Sequence, residues 1–251
     1  MRDAAELARP ASPSNTLIVE DSIESHLPIL VVNSVEKTYD GSGRAVAALR
    51  GVSFEAETGD FIALMGPSGC GKSTLLHILG GMDRPTRGSV LLGGIGLDSL
   101  AEEAIVRLRR KKIGFVFQFF NLLPTLTVAE NIALPLMLDG AHTSQTRDRT
   151  DEMLRRVDLV DRATHFPAEL SGGEMQRAAV ARAVVTRPDL ILADEPTGNL
   201  DTGNGSQIMS LLAGLNRELG ATIILATHSA ETARYARRTL RIRDGLIEGT
   251  A

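Results

Sequence analysis

The sequence predicts an α/β fold: a mostly parallel sheet with flanking helices, an N-terminal antiparallel β part, and a helical subdomain inserted into the core. Three observations carry the prediction. The apolar runs FIALM (61–65), LILA (190–193) and TIILAT (222–227) are continuous rather than alternating, the pattern of strands covered on both faces. Helical stretches alternate with these runs, as connections between parallel strands require. Between about residues 98 and 166 the pattern turns helical, broken around FNLLPTLT, and reads as an insertion.

Taken in order, residues 1–28 are rich in Ala, Ser, Pro and acid, with two arginines against five carboxylates, and read as a disordered tail. The domain proper spans 29–251. It opens with β-branched runs, ILVV (29–32), VSFEAE (52–57), FIALM and SVLL (89–92), punctuated by Gly and Asp as strands joined by turns are. A helix over roughly 72–79 follows FIALM, and within the insertion another lies near 147–160, after the polar segment GAHTSQT. Beyond Pro167 come a helix (174–185), the strand LILA, a helix (207–219), the strand TIILAT, and a last helix and strand pair.

Whole-chain quantities narrow the function classes. Apolar content of 43% and charged content of 23% are those of an ordinary globular protein. A net charge of -4 gives no electrostatic case for nucleic acid, and the short basic run RLRRKK (107–112) reads as a solvated helix face. The single cysteine excludes an internal disulfide and a cysteine-based metal cluster. No window reaches the roughly 18 apolar residues of a membrane span, and the N-terminus lacks the apolar region of a secretory signal. Any membrane-spanning part is expected on another polypeptide.

The loop behind FIALM carries the first chemistry. Gly66, Pro67, Ser68, Gly69, Cys70, Gly71, Lys72 and Ser73 satisfy G-x-x-x-x-G-K-[ST], the phosphate loop of a P-loop nucleoside triphosphatase core. Glycines let successive backbone N–H groups turn inward on phosphate oxygens, and the following helix aims its positive end at the same point. Lys72 reaches the β- and γ-phosphates, the Ser73 hydroxyl takes a Mg²⁺ position, and Thr74 is the next hydroxyl, suited to the α-phosphate. Chance yields such a match in on the order of one chain in a hundred. Cys70 reads as a small filler, and His77, on the helix behind the loop, as packing.

LILADEP (190–196) ends a buried strand on two acids, which places both at the carboxyl edge where open α/β sheets bind ligands. Asp194 suits Mg²⁺, and Glu195, facing the other way past the strand end, suits the attacking water. LSGGEMQRAAVARAVV (170–185) adds a bare backbone corner with a hydroxyl, opening a helix with Glu174 in its first turn. One molecule already has a phosphate loop, so a second phosphate reader makes sense on a nucleotide held by a partner.

At this point the chain resembles the ATP-binding cassette (ABC) ATPases, whose signature is LSGGQ or a close variant, and the family's other motifs match in order across about 29–251. The resemblance implies that Tyr39 stacks on adenine and that Gln118 in FVFQFFNLLP is the Q-loop glutamine contacting the metal. It makes Leu170, Ser171, Gly172, Gly173 and Glu174 a signature acting in trans, Asp194 the end of the Walker B strand, Glu195 the catalytic glutamate, Asp201 the D-loop acid and His228 a γ-phosphate contact. Ser229 follows His228 where many relatives carry Asp, so carboxylate support beside the histidine is missing. The implied ligands are ATP and Mg²⁺. The implied assembly is a head-to-tail homodimer with two ATP at its interface, peripheral on the cytoplasmic face of the cell membrane, working a separately encoded permease through the loop around Phe119, Phe120 and Leu122.

Within the family, HILGGMDRPTRGSV, RRKKIGFVFQFFNLLPTLTVAENIALPL and LADEPTGNLD resemble the ATPases of lipoprotein-release and macrolide-export systems. A cell-division relative that works wall hydrolases without moving a substrate shares much of this text, so export and mechanical signalling both stand as expectations. ABC ATPases acting on DNA or ribosomes are disfavoured by the missing coiled coils, zinc modules and second cassette. A stand-alone kinase-like enzyme is disfavoured by the signature.

Overall fold

The structure, a computed structural model, describes residues 28–40 and 45–250. The tail expected over 1–28 therefore lies outside the described residues, Pro28 excepted. Strands β1 (Leu30–Asp40) and β2 (Ala45–Ala56) pair antiparallel, β3 (Phe61–Met65) leaves for a second sheet, and β4 (Arg87–Leu92) and β5 (Ile95–Gly96) complete the first in the order β2-β1-β4-β5. The second sheet adds β6 (Ile113–Val116), β7 (Leu190–Asp194), β8 (Thr222–Thr227), β9 (Arg238–Arg243) and β10 (Leu246–Thr250) in the order β10-β9-β3-β8-β7-β6. Only its β9–β10 hairpin is antiparallel.

The helices are α1 (Lys72–Leu79), α2 (Glu102–Lys112), α3 (Val128–Leu138), α4 (Thr143–Arg156), α5 (Gly172–Val184), α6 (Thr202–Leu219) and the single turn α7 (Ala230–Ala233). Strand alternation sorts them onto two faces. Leu190 and Leu192 of β7 join Ile62, Leu64, Ile224 and the apolar side of α1. Ile191 and Ala193 face the other way, with Ile223 and Leu225, against α3 to α6. Each fully buried Leu or Ile side chain contributes roughly 1.5–3 kcal/mol, so one face cannot be exposed without unfolding the sheet.

The range 98–166 is not one helical block. Ile113–Val116 forms β6, which pairs parallel with β7. Gly114 is the reason so short a run can pack there: a Cβ would overlap the Ala183 carbonyl oxygen of α5. Ile105 of α2 is buried in the same layer as α1, so we assign α2 and β6 to the core and the inserted subdomain to about 117–166. In that part α3 opens with a reciprocal capping box between Thr127 and Glu130. Helix α4 begins inside the polar segment, at Thr143, because hydroxyl residues are tolerated in a first turn that they would weaken further in.

Helix α6 likewise starts at Thr202, five residues before the apolar period, because the Asp201 carboxylate accepts from the Asn204 N–H at 2.9 Å and caps it. The basic run at the end of α2 is a clamp rather than a free face. Arg109 donates to Gly81 O at 2.9 Å, Lys111 pairs with Asp139 at 3.4 Å, Lys112 with Asp189 at 2.9 Å, and Arg110 donates to Leu138 O at the end of α3.

Candidate active site

The carboxyl ends of β3, β8, β7 and β6 meet along one edge. Register fixes the order: Leu64, Ala226 and Asp194 share one rung, and Met65 lies beside Thr227. The phosphate loop leaves β3 here. At Gly66 a Cβ would overlap Ile242 O and sit 2.8 Å from Cys70 Sγ, and at Gly71, with φ 106°, it would lie 2.5 Å from Ala48 O. These two glycines are close-approach positions, and Cys70 is the buried filler between them. Lys72 is 6% exposed and donates to the carbonyls of Gly66 and Pro67 at 2.8 and 3.0 Å. Its ammonium is thus held at the loop's mouth by its own backbone.

Alternation turns Asp194 toward the α1 face, as it turns Leu190 and Leu192. Burial, the largest influence, pushes its carboxyl up, and the nearby Ser73 side chain opposes that shift. Its Oδ1 is buried without a partner. A serine hydroxyl and a carboxylate with an orphaned oxygen form a hard oxygen donor set of the kind Mg²⁺ prefers. The residues present fit that ion.

Glu195 leaves the strand. Its backbone is left-handed, φ 47°, yet its N–H still donates to Ala226 O at 3.0 Å. The turn swings its Oε1 to 3.0 Å from His228 Nδ1 and 3.9 Å from Lys72 Nζ. Three of the expected residues, from three strand ends, therefore meet around one carboxylate oxygen. Ser229, where a carboxylate was missed, caps α7 by accepting from the Thr232 N–H at 3.2 Å.

The remaining expected residues lie around this cluster. Tyr39 donates to Asp83 at 2.8 Å, carries the Lys37 ammonium 4.9 Å over its ring, and lies near Thr74 of the phosphate loop. Gln118 does not touch Asp194 or Ser73; its amide donates to Asn199 Oδ1 at 3.2 Å, and Asn199 returns a bond to Gln118 O at 2.9 Å. Leu170 is buried, and Ser171 to Glu174 open α5 as a second capping box, with Glu174 paired to Arg162 at 3.1 Å. Gly173 lies against α6, where a Cβ would be 2.9 Å from Asn204 Cγ. Among the described residues no hydrogen bond or ion pair joins the signature to the phosphate loop.

Sequence reasoning missed Asn199, Asp83 and Gln176. Gln176 is fully buried and donates to Phe117 O at 3.2 Å and Pro196 O at 2.7 Å, tying the loops after β6 and β7 to α5. Its signal was legible as a polar residue on the apolar face of α5, three after Gly173 and four before Val180. Asn199 and Asp83 gave no such signal, since each is an ordinary turn residue until its partner arrives through space.

A phosphate loop on the central strand, facing an acidic strand end two strands away, defines a P-loop nucleoside triphosphatase. The comparisons with known proteins agree. The family pattern described as ABC transporter matches residues 49–198. The lipoprotein-releasing system ATP-binding protein LolD of Alcanivorax borkumensis is 44% identical over 88% of this chain and 96% of its own length. The macrolide export ATP-binding/permease protein MacB of Syntrophobacter fumaroxidans is 44% identical over 88% of this chain but only 31% of its own. Among solved structures, a dimeric ATP-binding cassette in a post-hydrolysis state bound to ADP and Pi is 41% identical, covers 88% of this chain and 97% of that one, and superposes with a TM-score of 0.82. The chain belongs to the ABC transporter family, and it is an ATP-hydrolysing cassette of the type found in LolD and MacB.

Proposed function

We propose that two copies of this chain close on two ATP molecules, each held by the phosphate loop of one copy and the Ser171–Gly173 corner of the other, and that hydrolysis drives export or lipoprotein release by a membrane permease. The observation carrying the trans assignment is the separation already described: a helix start whose Ser171 is exposed and which, among the described residues, makes no hydrogen bond or ion pair with its own phosphate loop. Mg²⁺, when bound, would supply positive charge against the negative charge that builds on the phosphates. Asp194 and Ser73 would hold it. Gln118, released from Asn199, would join them.

On nucleotide binding Lys72 exchanges two carbonyl contacts for phosphate oxygens, a gain because the new partners are charged. Glu195 orients the attacking water and takes its proton, while His228 fixes the carboxylate and faces the γ-phosphate. Tyr39, beside Thr74, supports the base by stacking. Loss of the γ-phosphate removes the contact that the signature makes in trans, and the copies part.

The permease site is a groove of about 450 Å³ lined by Phe115, Phe117, Leu134, Leu138 and Pro135, with Arg109, Arg110 and Arg182 also in its lining. Phe119 stands beside Gln118 and is 71% exposed. A short amphipathic segment with an acidic end fits this lining. Among the described residues no helix is long and apolar enough to cross a membrane. The likeness to LolD and MacB supports a peripheral place on the cytoplasmic face of the membrane. The test is gel filtration of Glu195→Gln with ATP and Mg²⁺. It should run as a dimer, Ser171→Arg in that background should run as a monomer, and a Ser171→Arg protein that still closes would overturn the trans assignment.

A further inference from the structure

At the start of α5 one carboxylate occupies the donors that a phosphate would want. Glu174 Oε2 accepts from the Ser171 N–H at 2.8 Å and from Ser171 Oγ at 2.7 Å, and its Oε1 accepts from Arg162 Nε at 3.1 Å. The Glu174 carboxyl is held down to about 2 by the Ser171 N–H and hydroxyl and by Arg162. An ionised carboxylate has no proton to give, so in the short Oγ contact the serine is the donor. Ser171 Oγ in turn accepts from the Glu174 N–H at 3.3 Å. What the serine oxygen offers to an incoming anion is therefore a lone pair.

The geometry points to Glu174 as a positioning residue that competes with the γ-phosphate for the Ser171 hydroxyl proton, with Arg162 offsetting its charge, and so sets the ATP concentration at which two copies close. This inference rests on the trans assignment of the signature. Closure exchanges one charge-assisted hydrogen bond for another instead of adding one. It also brings phosphate toward a helix start that already carries a negative side chain, where an anion would otherwise be favoured. Arg162, 46% exposed, is the cation bonded to that carboxylate. Glutamine at the same place keeps the cap, since its amide oxygen accepts from the Ser171 N–H. The same amide oxygen stands in the place of Oε2, where it accepts from the Ser171 hydroxyl too but without a negative charge, so its hold on that proton is weaker than the carboxylate's.

The experiment is an ATP titration of dimer formation, read by light scattering, in the hydrolysis-silent Glu195→Gln background. Adding Glu174→Gln should lower half-saturating ATP by about three- to tenfold, the scale of one charge-assisted hydrogen bond partly offset. Arg162→Gln should raise it by about two- to fivefold, the scale of one charge at a helix end. That rise should vanish when Glu174→Gln is also present. A purely structural cap predicts no tightening and no such coupling, so an unchanged or raised half-saturating ATP for Glu174→Gln, or an Arg162→Gln effect that persists in the double variant, overturns the inference. Ser171→Ala separates the two failures. If it closes at the unaltered ATP concentration the trans assignment fails, whereas if it abolishes closure while Glu174→Gln changes nothing, only the competition fails.

Discussion

Replacing Glu195 by glutamine tests the chemistry most directly, because the structure says what the change leaves alone. The side chain keeps its shape, so an amide oxygen can still face His228 Nδ1 across the 3.0 Å contact. Its backbone stays left-handed at the same cost, which glutamine bears no worse than glutamate. Removing the charge relieves Asp194, whose carboxyl Glu195 helps to raise. ATP binding should therefore hold or improve. What disappears is the only carboxylate paired with Lys72 among the described residues, at 3.9 Å. A positioned base contributes about 10²–10⁴ in rate, or roughly 3–5 kcal/mol of barrier, and phosphate release in a single turnover should slow by that factor. Glu195→Gly should lose hydrolysis equally. It also relieves a left-handed backbone that costs about 1–2 kcal/mol, enough to raise Tm by about 2–4 °C or more. Turnover within about threefold of the unaltered protein, or a Tm that falls in Glu195→Gly, would refute the assignment of that carboxylate as base on a strained turn.

Gly66→Ala should abolish ATP binding and lower Tm, since its methyl overlaps a backbone carbonyl that cannot step aside; retained affinity in a nucleotide titration would contradict the close approach. Tyr39→Ala should weaken ATP binding by roughly tenfold, about 1–3 kcal/mol of base stacking, whereas Tyr39→Phe should bind normally and lose only the hydrogen bond to Asp83. Glu174, depressed to about 2 in the fold, stabilises it fully above the ordinary glutamate range and loses that contribution as pH falls from about 4.5 toward 2. Thermal melts should accordingly fall more steeply across that window than those of Glu174→Gln.

The parts of the site that were legible in the sequence are those in which local chemistry decides. FIALM followed by three glycines and a lysine could only be a buried strand feeding a backbone nest, and α1 begins and ends where its text says. Asp194 was readable from alternation alone, because Leu190 and Leu192 declare its face. What escaped depended on distance through space. The strand IGFV is too short and too rich in glycine to declare itself, and it is a strand because β7 lies beside it. The basic run in α2 looked solvated because its partners, Asp139 and Asp189, are far along the chain. Gln118 was expected on a metal, and it rests on Asn199, a turn residue eighty-one positions away.

Those long-range bonds explain why the groups that read the γ-phosphate from opposite copies should move as one. Phe120 and Asn121, just past Gln118, both have left-handed backbones, φ 61° and 51°, strained positions that need an outside hold. Arg182 supplies it, donating to the carbonyls of both residues, and Arg182 stands near the far end of α5. Midway along the same helix, Gln176 grips Phe117 O and Pro196 O, on either side of the edge where Gln118 and Glu195 emerge. At its near end stands Ser171, exposed, the residue proposed to meet the partner's nucleotide. A rigid helix of thirteen residues thus joins the loop that should take a metal to the corner that should take the partner's phosphate. If a nucleotide draws Gln118 off Asn199, the strained loop cannot shift without pulling Arg182, and α5 must follow. Arg182→Ala should therefore leave ATP binding to a single copy intact while uncoupling it from closure, a split that calorimetry and light scattering on the same sample would read directly.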